Sequence, residues 1–269
     1  MKFFISVDME GISGLVDWDD PQEKISKYMT SDVNAVLKGI FKKDPAAEIL
    51  ICDAHSSGNN LNIMDLPRNI KLIQGRTRPY YMVEGYDSSF NAAFLIGYHA
   101  PVGTYKGLMD HSYSSSSFYE VKINGQVVGE SEINAILLSE ETIPVILISG
   151  DDQLKNFSQS HFPETSFVIT KHSIGKFSAS LIHPELVHQD LEQKTIAAID
   201  KISSTRCYAP IKPYSVEIAL VNTLQADFAG ILPGVERKDG RNLCFSAKDG
   251  KEMYRYMMSI LYLCAASKK

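Results

Sequence analysis

Ser6-Val7-Asp8-Met9-Glu10-Gly11 is the stretch from which the rest of the chain can be read. It closes an apolar run, Phe3 to Val7, with the length and composition of a buried strand. Side chains alternate faces along a strand, so Asp8 and Glu10 share one face. Two carboxylates held close raise each other's pKa, and a cation between them removes the repulsion. Gly11 and Gly14 permit a tight exit from the strand. The pair is a candidate for half of a metal site. A strand end with one helix-capping acid and one solvated acid explains the same residues, and the motif alone favours that plainer account.

The pattern recurs further along. Glu48 to Cys52 reads as a strand and runs into Asp53-Ala54-His55, and Ala92 to Ile96 runs into Gly97-Tyr98-His99. In open α/β sheets, ligands bind beyond the carboxyl ends of the strands, so separate segments would deliver acids and imidazoles to one edge. Taken singly, His55 and His99 each read as loop histidines bonded to a backbone carbonyl; the joint pattern shifts the balance. Mixed carboxylate and imidazole donors suit zinc and would accept manganese or cobalt. Two acids and two histidines exceed what one catalytic ion needs, which favours a pair of ions about 3.5–4 Å apart.

Elsewhere, apolar spacing predicts a helix from Thr30, with Thr30 or Ser31 as its cap and Val33, Val36, Leu37 and Ile40 inside. The preceding residues, 16–27, read as a polar acidic loop carrying the only tryptophan, Trp18. Leu72-Ile73 reads as a short strand and Val121 to Val128 as a hairpin turning at Asn124-Gly125. Gly129-Glu130 opens a helix with Ile133, Ile136 and Leu137 on one side. Pro144 to Ser149 reads as a strand ending at Gly150-Asp151-Asp152, where either aspartate can cap the next segment, and Val168-Ile169 extends the sheet. Pro184 starts a helix, residues 203–213 form a linker, and the chain closes with a strand, a hairpin at Lys238-Asp239-Gly240 and a final helix. That helix is expected to bury Met253, Met257, Ile260, Leu261 and Cys264. The expected fold is α/β, a mostly parallel sheet covered by helices, with a second, smaller α/β part: residues 1–207 and 208–269. His161, His172, His183 and His188 read as surface residues, as do Arg76 and Arg78 beside Pro79.

Composition narrows the function. A net charge of -5 with no basic block argues against nucleic acid or an anionic membrane as partner. The 4 cysteines are scattered, against a thiolate zinc site or a disulfide framework. The first residues are too short and too soon charged for a signal peptide, and no apolar stretch spans a bilayer. The expectation is a soluble cytoplasmic protein.

Several motifs, in order along nearly the whole chain, resemble the zinc-dependent D-aminopeptidase family of the DppA type. They are Ser6 to Gly14, Asp53-Ala54-His55, Met82-Val83-Glu84-Gly85, Gly97-Tyr98-His99-Ala100, His111-Ser112, Val128-Gly129-Glu130 with Asn134, Gly150-Asp151-Asp152, and Leu232-Pro233-Gly234. The resemblance implies two zinc ions held by Asp8, Glu10, His55, His99 and Glu130, with Asp8 bridging, and His111 as the catalytic histidine. Glu132 competes for the place of Glu130. It also implies short peptides as substrates, cleaved after an N-terminal D-amino acid such as D-alanine, and a ring-like homo-oligomer, a decamer in that family. Ala54 stands where the family usually has serine, and the loop from His99 to His111 differs in length; both bear on substrate preference. His111 would carry a proton or attack directly. The competing readings are a dinuclear metal amidase, deacylase or phosphoesterase, and a non-catalytic peptide-binding protein.

Overall fold

The apolar run at the start becomes β1 (Lys2–Val7), an inner strand of a seven-stranded sheet. Its alternation divides the molecule. Phe3, Ile5 and Val7 enter one core, and Phe4 enters another on the opposite face. The computed structural model that shows this describes residues 1–267.

Around β1 lie β2 (Glu48–Asp53), β3 (Ile70–Ile73) and β4 (Ala92–Tyr98). A hairpin, β5 (Phe118–Ile123) and β6 (Gln126–Val127), comes next in sequence, followed by β7 (Val145–Asp151), β8 (Ser166–Gly175) and β9 (Ser178–Leu181). The large sheet runs β3-β2-β1-β4-β7-β8-β9, parallel except for the β8–β9 pair. Helices α1 (Gln22–Lys43) and α4 (Pro184–Ile199) cover the face bearing Phe3, Ile5 and Val7. Between them in sequence come α2 (Glu130–Ser139) and the short α3 (Asp152–Ser158), which is capped by Asp151 through a 2.7 Å bond from the Leu154 N–H.

The other face is covered by α2, by the last helix and by a second, antiparallel sheet. This sheet contains β10 (Tyr214–Leu220), β11 (Glu236–Arg237) and β12 (Asn242–Ala247), and its order is β11-β12-β10-β5-β6. Helix α5 (Thr223–Ala229) leads to β11, and α6 (Gly250–Ala266) closes the chain. Residues on both sides of position 207 thus build the small sheet, because β5 pairs with β10.

Three expectations need adjustment. Helix α1 starts at Gln22 rather than near Thr30, because Ile25 and Met29 continue the buried stripe and Pro21 precedes the first turn. Strand β8 is longer than Val168-Ile169 suggested and folds back into β9. Leu261 is only partly buried in α6.

The register places the chemistry. Val7 lies opposite Asp53 on one side and Ile96 on the other. Asp8, His55 and His99 therefore leave the sheet within a few residues of one level. Close backbone packing holds that level. A Cβ on Gly11 would stand 2.0 Å from the Tyr98 carbonyl oxygen, and one on Gly150 would stand 2.1 Å from the same atom.

Candidate metal centre

Beyond the carboxyl ends of β1, β2 and β4, the side chains of Asp8, Glu10, His55 and His99 meet, joined by Glu130 from the first turn of α2. Asp8, Glu10, His99 and Glu130 are all at most 2% exposed. His55 Nδ1 lies 3.2 Å from both Asp8 Oδ1 and Glu10 Oε2. His99 Nε2 lies 3.6 Å from Asp8 Oδ2 and 3.4 Å from Glu130 Oε1. Two sets of donor atoms, Asp8-Glu10-His99 and His99-His111-Glu130, each converge within 4.8 Å.

Asp8 Oδ2, Glu10 Oε2 and His99 Nε2 are buried with no hydrogen-bond partner among the described residues. Leaving such groups unpaired away from water is costly. Two donors bound tetrahedrally at zinc's usual bond lengths of about 2.0–2.1 Å stand about 3.3–3.4 Å apart. The gaps of 3.2, 3.2, 3.4 and 3.6 Å bracket that separation. The residues present fit a metal in donor type, spacing and burial.

The imidazoles are held from behind. His99 Nδ1 is 2.9 Å from the Ala100 carbonyl, and His111 Nδ1 is 2.9 Å from the Met109 carbonyl. An N–H donated there leaves each Nε2 facing the acids. His111 stacks on His99 at 4.1 Å, with Nε2 3.6 Å from Glu130 Oε1 and 3.9 Å from Glu10 Oε1. Beneath His55, Asp53 accepts bonds from the Asn60 and Leu61 amides, and Asn60 Nδ2 donates to the His55 carbonyl. Asp53 therefore shapes the loop and does not touch the His55 ring.

The acids and imidazoles act on one another's charge. Burial, then the Glu10 charge, pushes Asp8 up to about 7. Burial also acts to raise Glu10, but His55, His111 and His99 hold it well below the carboxylate range. Burial opposes charge on His99, yet Glu130, Glu10 and Asp8 lift it to about 10. Burial, helped by the adjoining His99, lowers His111.

Asp8, Glu10, His55, His111 and Glu130 open onto a cavity of about 360 Å³ that Trp18, Tyr81 and Tyr113 also line. Wider clefts exist, about 490 Å³ beside His161 and about 680 Å³ beside Glu48, but the first brings one histidine to one acid, Glu164, and the second has no histidine. Glu132, the competitor for Glu130, points away: it accepts bonds from the Gly129 N–H and Ser131 Oγ and lies 3.2 Å from His161. His161 and His188 are thus tied to buried acids, His188 to Asp32 at 2.9 Å, and are not simple surface histidines. Arg78 is also buried rather than exposed, and donates to the Asp53 carbonyl at 2.5 Å.

Two participants escaped the sequence reading. Trp18 sits in what looked like a plain acidic loop, and its being the chain's only tryptophan was the one signal available. Lys171 is buried, and its ammonium donates to the carbonyls of Glu10 at 2.7 Å and Leu15 at 2.6 Å. Burial brings its pKa down to about 8, against the pull of Asp151 and Asp32. A lysine inside an apolar strand gives no sequence sign of this task.

A parallel sheet with acids and imidazoles converging beyond its carboxyl edge is the build of an α/β metallohydrolase. The chain belongs to the D-aminopeptidase family, whose profile matches residues 1–259. It is 33% identical over 267 residues to a D-aminopeptidase of Bacillus subtilis (strain 168), covering 96% of each chain. The structure resembles that of the Zn-dependent D-aminopeptidase DppA from Bacillus subtilis, described as a self-compartmentalizing protease. The TM-score is 0.93 at 32% identity, over 98% of both chains.

Proposed function

We propose that the protein is a metal-dependent aminopeptidase that removes an N-terminal D-amino acid, of the D-alanine type, from short peptides. Two zinc ions per subunit would be held by Asp8, Glu10, His55, His99 and Glu130, with Asp8 shared between them. The observation that carries this is the set of buried, unpartnered donor atoms on Asp8, Glu10 and His99 at metal-type spacing. Family membership supports the substrate class.

When bound, the ions supply Lewis acidity to the scissile carbonyl and to the attacking water. The chain's own residues do the rest. With Asp8, Glu10 and Glu130 taken up as ligands, the free amine of a peptide would be held in its neutral form at the centre they build, which suits removal of a terminal residue. His111 is the proton carrier: anchored at Nδ1, it presents Nε2 to the cavity, takes the proton from the water and returns it to the leaving amine. Tyr81, Tyr113 and Trp18 wall the cavity and limit water. The phosphoesterase reading loses ground, since no arginine lines the cavity among the described residues.

The subunits would assemble into a ring-like homo-oligomer, in keeping with the self-compartmentalizing relative. Among the described residues no helix is long and apolar enough to cross a membrane. Cys52, Cys207 and Cys244 are free thiols, which suits a reducing cytoplasm. Residues 1–207 would carry the catalysis and 208–269 the smaller part, the two interlocked through the β5–β6 hairpin.

The test pairs a metal count with D- and L-alanyl dipeptides. About two zinc ions per chain and faster release of D-alanine are expected; release from L-alanyl substrates alone, or activity unchanged after complete zinc removal, contradicts the reading. His111→Ala should keep zinc and lower kcat about 10²–10⁴-fold. Full activity in that variant removes His111 from the mechanism.

A further inference from the structure

The loop between β1 and α1 carries Trp18 onto the edge of the candidate metal centre. Its indole Nε1 donates to Glu10 Oε1 at 2.7 Å. The other oxygen, Oε2, is buried without a hydrogen-bond partner among the described residues and lies 3.2 Å from His55 Nδ1. One oxygen of the carboxylate is thus engaged by the protein, and the other is turned toward the remaining donors.

The ring itself is fixed from three sides. It meets the His111 imidazole edge-to-face at 5.5 Å and 90°. Phe177 meets it at 5.3 Å, and the Lys176 ammonium lies 5.5 Å from its centroid. Both residues come from the turn between β8 and β9. The same turn grips the His111 loop: the Met109 N–H donates to the Lys176 carbonyl at 2.7 Å, and Lys176 Nζ donates to Asp110 Oδ1 at 2.8 Å. A contact restricted to packing would not need an indole N–H aimed at a buried carboxylate.

We propose that Trp18 is a positioning residue that orients Glu10 as a one-oxygen metal ligand and steadies the His111 ring beside it. The proposal rests on Glu10 being a ligand. Groups that fix a ligand from behind typically contribute 10–100-fold in metal affinity when removed.

The experiment is chelator competition for zinc on the full chain, comparing wild type, Trp18→Phe and Glu10→Gln. Phenylalanine keeps an aromatic ring but has no N–H. Trp18→Phe should bind zinc about 10-fold more weakly, while the zinc-free variant keeps the wild-type fold by circular dichroism. Unchanged zinc affinity in Trp18→Phe, with Glu10→Gln losing zinc, overturns the role of Trp18 and leaves the metal centre standing. Unchanged affinity in Glu10→Gln overturns the metal reading and this proposal with it. Should Trp18→Phe fail to fold, the wild-type protein still decides. Trp18 is its only tryptophan, so indole emission should change during zinc titration and level off when the site fills. Emission that stays constant while the protein takes up zinc contradicts the proposal.

Discussion

Glu130 and Glu132 stand two positions apart at the start of α2 and do opposite jobs. Successive helical residues turn by about 100°, which sends the two side chains to nearly opposite sides. Glu130 reaches the acid-imidazole cluster, where its Oε1 also accepts the Tyr113 N–H at 2.6 Å. Glu132 caps its own helix and holds His161. The letters alone gave both residues equal standing, and only the glycine ahead of Glu130, matched by resemblance, chose between them. Glu130→Gln should lose zinc, as read by metal analysis. Glu132→Gln should keep zinc and cost about 1–3 kcal/mol in denaturant unfolding, since a buried acceptor is weakened. Lys171→Met should cost about 3 kcal/mol by the same measurement, because two buried carbonyls lose their donor at once. Asp8, Glu10, His55 and His99 were legible because strand ends announced them. Trp18 and Lys171 were not, since each acts through bonds to partners distant in fold or buried from view.

At the scale of the element, the ends of β1, β4 and β7 approach so closely that side chains are excluded. Gly11→Ala would press a methyl group against the Tyr98 carbonyl at 2.0 Å, the Gly97 carbonyl carbon at 2.6 Å and the Gly150 Cα at 2.8 Å. Backbone cannot rotate out of the way as a side chain can. The variant should lose about 3 kcal/mol, the upper part of the overpacking range, and bind zinc less well; wild-type unfolding and zinc affinity would contradict the account. The strands themselves were readable from their apolar runs. Gly11 reads as a turn residue, yet its need for space comes from strands about ninety and one hundred and forty residues away. The early start of α1 was hidden for another reason. Polar residues from Gln22 to Lys27 dilute the apolar period, and only Ile25 and Met29 carry it.

For the whole molecule, metal and fold should be linked. Anything that binds only the folded state stabilises it, by about 4 kcal/mol at a thousandfold excess over Kd. Chelation should therefore lower the melting temperature, and readdition of zinc should restore it; a melting temperature indifferent to chelator would separate metal from folding. The α/β class and the helix-covered sheet were visible from alternating strands and helices. The composition of the small sheet was not, because β5 and β10 are separated by some ninety residues and pairing over that distance leaves no local mark.

That pairing has a practical outcome. The strand that completes the small sheet, β5, and the two-residue β6 lead directly into Glu130. Severing the polypeptide at 207 would strip β5 of its neighbour β10 and α2 of its packing against α6, loosening the stem on which Glu130 stands. The last sixty or so residues are thus expected to brace the candidate metal centre, and a chain ending at 207 should bind zinc more weakly than the full chain.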